Sequence, residues 1–142
     1  MTIMTQDMGA LAFLNARLNN TFPTSKDLTV HLFCNNITPS DSDVVGDYTE
    51  ASGAGYAAQT LTTGSWTISI VSNLAQAVYG TLTFALTGVL TTNTTVYGYY
   101  VTDDNGDLMW ADTLTTPFDT SPNVPGYIAI DITYKASKGT PS

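Results

Sequence analysis

Basic residues are almost missing from this 142-residue chain, with 4 Lys and Arg against 12 Asp and Glu and a net charge of −8. Arg17, Lys26, Lys135 and Lys138 are the only cations, so the stretch from Asp27 to Tyr134 has none. Nucleic-acid binding depends on Lys and Arg displacing phosphate counterions, and that function is excluded. Attraction to an anionic membrane surface is excluded on the same count. Cysteine occurs once, at Cys34, which rules out an internal disulfide and every Cys-rich zinc pattern. Histidine also occurs once, at His31, so no two-histidine metal site can form. Charged residues are only 11% of the chain, against about a quarter in an ordinary domain.

What the chain has in quantity is Thr and Tyr. About one residue in six is Thr and 8 residues are Tyr, a composition that favours strands. The length suits one domain spanning 1–142, with a core that needs no metal or disulfide. From Asp7 to Asn19, Met8, Leu11, Leu14 and Leu18 recur at helical spacing behind an Asp7 cap. This predicts a short helix in an N-terminal arm over 1–22. A secretory leader is not expected, because the first cation follows the apolar stretch.

Beyond Pro23 the apolar period changes to two. Leu28, Val30, Leu32 and Cys34 alternate with Thr29, His31 and Phe33, which reads as a half-buried strand. Asn35 to Asp43 reads as a polar loop and Val44 to Glu50 as an extended segment. Further strands are expected over Tyr56–Thr62, around Trp66, Ile68 and Ile70, and over Leu74–Leu86. Val96–Thr102 is the densest aromatic strand, and Gly98 within it signals a bulge or a close backbone approach. Alternation there places Tyr97 and Tyr99 on one face and Tyr100 on the other. Asn105-Gly106 marks a tight hairpin, Leu108–Thr113 the returning strand, and Pro117, Pro122 and Pro125 a long loop. Ile128, Ile130 and Ile132 form the last strand, ahead of a tail over 135–142. Seven or eight strands with turns between them predict an antiparallel β-sandwich or jelly roll.

No catalytic or cofactor motif emerges. His31 and Cys34 lie three apart on a strand, hence on opposite faces, and cannot act as a nucleophilic pair. Asp103 to Asp107 looks like the start of a calcium loop, but Gly106 precedes Asp107 and Leu114 stands where a bidentate Glu is required. Asp41, Asp43, Asp47 and Glu50 form a second acidic cluster, read as a solvated loop with a weak cation site as the sharper alternative. Tyr97, Tyr99, Tyr100, Trp66 and Trp110 are candidates for stacking on sugars, though not all from one surface.

One segment carries more. Leu28-x-Val30-His31-Leu32-Phe33-x-Asn35-Asn36-x-Thr38-Pro39 is followed by Asp47-Tyr48-Thr49-Glu50-Ala51, Gly55-Tyr56-Ala57 and Ser65-Trp66. Together with Val96-Tyr97-Gly98-Tyr99-Tyr100-Val101-Thr102 and Leu108-Met109-Trp110-Ala111, this pattern resembles a group of small tailed-phage virion proteins. Asp112 departs from the Glu often present there. The resemblance runs from the helix to the last strand and implies a capsid decoration (cement) protein on the virion surface. It further implies a noncovalent partner in the major capsid protein and a homo-oligomer, a trimer being favoured. A tail-fibre or baseplate module binding glycans is the alternative. The contacts expected are Met8, Leu11, Leu14 and Leu18 on the helix, and the loop residues Asn35, Asn36, Asp41, Asp43 and Asp47.

Overall fold

The alternating segments assemble into seven antiparallel strands in two sheets, seen in a computed structural model that describes residues 26–135. They are β1 (Leu28–Phe33), β2 (Gln59–Leu61), β3 (Thr67–Val71), β4 (Leu74–Leu86), β5 (Thr95–Thr102), β6 (Leu108–Asp119) and β7 (Gly126–Lys135). The first sheet has the order β2-β1-β5-β6 and the second the order β3-β4-β7. The helix expected over 7–19 and the tail beyond Lys135 lie outside the described residues.

Period-two alternation decides which side chains meet. Val30 and Leu32 of β1, Val96 and Val101 of β5 and Trp110 of β6 face Leu82, Phe84 and Leu86 of β4 and Ile128, Ile130 and Ile132 of β7 in one core. On β4 the partners of this face, Thr81, Thr83 and Ala85, are exposed, as the alternation requires. Burying each large aliphatic chain contributes roughly 1.5–3 kcal/mol, so this double layer is the main stabilising element.

The first sheet has a second buried face. Phe33, Tyr48, Tyr100, Leu108 and Ala111 cluster on its outer side, with Ile37, Val45 and Tyr97 packed against them. The segment from Asn35 to Glu50 folds back over the strands to cover it. Its end runs beside β1, where the Cys34 N–H donates to Thr49 O and the Ala51 N–H to Leu32 O.

Several local expectations need correction. Val44 to Glu50 is not extended; Val45–Asp47 forms a 3-10 turn, because the Asp47 carboxylate accepts the Val44 N–H at 2.8 Å and closes the turn. The strand expected over Tyr56–Thr62 shortens to Gln59–Leu61, since Tyr56 uses its hydroxyl to accept the Leu32 N–H instead of pairing its backbone. Pro117 lies within β6 rather than in a loop. Tyr97 and Tyr99 do not share a face: Tyr99 enters the inter-sheet core, whereas Tyr97 packs with the outer cluster. The register slips between Val96, opposite Phe118, and Gly98, opposite Thr113, so strict alternation fails at that point. The Asp103–Asp107 tip is also not a two-residue Asn-Gly turn. Only Gly106 takes positive φ there, and the Asp103 carboxylate accepts the N–H groups of Asn105 and Asp107, both at 2.9 Å.

Gly98 is the tightest point of the fold. A Cβ there would stand 2.2 Å from the Asp112 carbonyl oxygen and 2.5 Å from the Phe33 ring. The expected close approach is therefore real, and it lets Phe33 lie flat against β5. Replacing Gly98 with Ala should destabilise the fold by roughly 3 kcal/mol, because backbone as well as a buried ring must move. Urea unfolding of the Gly98→Ala variant checks this.

Candidate functional site

The motif residues that carry the phage resemblance converge on one region, the outer face of β1 and β5. Asn35 starts the covering loop and holds it by both ends of its amide: Nδ2 donates to Asp47 O and Oδ1 accepts the Thr49 N–H, each at 2.8 Å. Asp43 accepts the Ser40 N–H at 2.9 Å and the Tyr48 hydroxyl at 2.6 Å. Tyr48 is buried, and desolvation together with Asp43 drives its hydroxyl pKa far upward. Its ring lies 5.0 Å from Phe33 and 5.3 Å from Tyr100. Asp43 and Asp47 are thus the loop's own hydrogen-bond acceptors. Among the described residues, no three His, Cys, Asp or Glu side chains gather to hold a metal ion.

His31 sits beside this cluster. Its ring stacks on Tyr100 with centroids 4.7 Å apart, and Nδ1 lies 2.8 Å from Glu50 Oε1 while Nε2 lies 3.0 Å from Thr102 Oγ1. The same Glu50 oxygen accepts the Tyr56 hydroxyl at 2.9 Å. Glu50 therefore ties β1, the loop and the chain beyond Gly55 into one polar network. Sequence reasoning read His31 as an ordinary strand histidine and missed Glu50 as its partner, 19 residues away. The signal was present: Phe33 and Glu50 form an antiparallel bridge, which the Thr49-Glu50-Ala51 spacing alone does not reveal.

What the loop presents outward is small, polar and uncharged apart from Asp41 and Asp47. Asn36, Asp41, Ser42 and Asp47 are exposed, and Val44 stands 59% exposed at the tip. By contrast, the sugar-stacking candidates are withdrawn from solvent. Tyr99 and Trp110 are each only 4% exposed, and Tyr100 is 3% exposed. Trp66 is half-buried against Tyr79 and Trp110.

A cleft of about 560 Å³ opens along the edges of β6 and β7, lined in part by Asp112, Phe118, Tyr127 and Asp131. The Thr81 hydroxyl donates to the Asp131 carboxylate. Burial raises the pKa of Asp112, against the lowering effect of the Thr113 N–H that its carboxylate accepts. A carboxyl raised in the folded state binds its proton more tightly there. Its ionisation then costs stability as pH rises above the unfolded value of about 4, and the cost is full at neutral pH. Asp112→Asn should accordingly raise the melting temperature at pH 7 and leave it nearly unchanged at pH 3.

Cys34 is fully buried in the core, and desolvation pushes its thiol pKa up to about 11. The thiolate is the reactive form, so the folded protein should resist a disulfide reagent at pH 8 and react fully once unfolded. A thiol titration with and without denaturant checks this. Family models, curated proteins and solved structures yield no match to this chain.

Proposed function

We propose that the chain is a phage capsid decoration (cement) protein, a β-sandwich that binds the outer capsid lattice noncovalently and stabilises the shell. The observation that carries this reading is the tethered loop from Asn35 to Glu50. It is held by side-chain hydrogen bonds and aromatic packing on a rigid sheet, yet it displays Asn36, Asp41 and Val44 to solvent. A loop already ordered in the free protein loses little conformational entropy on docking, which favours a stable noncovalent contact. Its surface has no Lys or Arg and so few long side chains to immobilise. The resemblance to small tailed-phage virion proteins supplies the biological setting, and the major capsid protein is the partner. Cement proteins act at symmetry axes of a shell, so a homotrimer on the virion surface fits this role.

Glycan recognition by a tail module loses support from the burial of Tyr99 and Trp110, the rings it would have used. The purified chain should form an oligomer in sedimentation and co-sediment with capsids that lack it. Val44→Asp combined with Asp41→Lys should weaken that co-sedimentation at least about tenfold, near 1.4 kcal/mol, with the melting temperature unchanged. A monomer that leaves capsids bare would end the reading.

A further inference from the structure

The inner face of the second sheet continues past the end of the first. Ile130 and Ile132 of β7 face the core, Tyr134 follows them two residues on, and Tyr134 is paired with Ala77 of β4. Ala77 is paired in turn with Ile68 of β3, and Ala75 with Ile70. Directly paired residues share a face, so Ile68 and Ile70 lie on the same side as the core isoleucines. Ile130 and Ile132 are at most 6% exposed, whereas Ile68 is 70% and Ile70 78% exposed. The β3–β4 hairpin is thus an arm whose core-facing side has nothing above it among the described residues.

The arm is built as a defined structure. It closes on Ser72 and Asn73, both at positive φ, the backbone of a two-residue turn matched to strand twist. β3 is also the edge of its sheet, and it lacks every usual protection: no charge, no Pro and no bulge. From Ser65 to Thr102 the chain has no charged residue at all. An uncharged apolar face of this kind selects an apolar cover.

We propose that the N-terminal segment of the same chain, through Met8, Leu11, Leu14 and Leu18, packs over Ile68 and Ile70 and completes the core at this end. The described chain begins at Lys26, beside the base of the arm. There Lys26 pairs with Asp104, and Asp27 Oδ1 accepts the Thr63 N–H at 2.7 Å, three residues before Trp66. Twenty-five residues precede Lys26. A helix over 7–19 would be about 20 Å long, matching an arm of roughly 17 Å, with enough chain left between to reach it. The other terminal stretch, Ala136 to Ser142, has no large apolar side chain and cannot serve.

Two readouts on the full-length protein test this. Arg17 is the only trypsin site in the first 25 residues, so release of the 1–17 fragment reports whether the segment is held. Ile68→Asp with Ile70→Asp should leave the β-sheet circular dichroism intact and speed cleavage at Arg17 at least about tenfold; an unchanged rate overturns the proposal. The single buried thiol of Cys34 leaves a clean background for cross-linking. Ile70→Cys, paired in turn with Leu11→Cys, Leu14→Cys and Leu18→Cys, should give a disulfide within one chain. A disulfide between chains in mixtures of the single variants overturns it, and places the arm under a second copy.

Discussion

Closure of the outer face of β1 and β5 is the constraint on which the other features rest. A two-sheet protein ordinarily leaves its outer faces to water, but here Phe33 and Tyr100 are large rings on that side and need a cover. The cover is the chain from Asn35 to Glu50, and it can settle only because Gly98 lets the Phe33 ring lie against the strand. Tyr48 then stacks over both rings and gives its hydroxyl to Asp43, a buried polar group satisfied by the loop it anchors. Buried donors left without partners cost about 1–3 kcal/mol each, so the hydrogen bonds and the packing support one another.

This explains why the residues that resemble small phage virion proteins carry no chemistry. His31, Phe33, Asn35, Tyr48, Glu50, Tyr56, Gly98 and Tyr100 are the parts of the closure, and each has a packing or hydrogen-bonding task. The pattern describes how to hold a loop, while the side chains the loop displays, such as Asn36, Asp41 and Val44, are free to differ with the partner. A scaffold of fixed stitching and variable display suits a protein whose work is adhesion.

The strands themselves were legible wherever one face meets the core and the other meets water. Leu74–Leu86 and the Ile128, Ile130, Ile132 series follow period-two alternation, and the structure matches them. Legibility failed where a side chain replaces a backbone ladder. Tyr56 occupies the Leu32 N–H and shortens β2, and Asp47 turns an extended segment into a 3-10 turn. It failed again at Tyr97, because a register slip of β6 against β5 has no local signature in the aromatic run. Of the expected contact residues, Asn35, Asn36, Asp41, Asp43 and Asp47 share one loop, but Asn35, Asp43 and Asp47 are spent on holding it. Spacing alone does not distinguish an acid that accepts N–H groups from one that faces a partner.

The most direct measurement is the copy number of this chain relative to the major capsid protein in purified virions, by quantitative mass spectrometry. A decoration protein spread over the shell should be present at a ratio close to that of the capsid protein. A handful of copies per particle would place the chain in the tail, and its absence from the virion would contradict the account altogether.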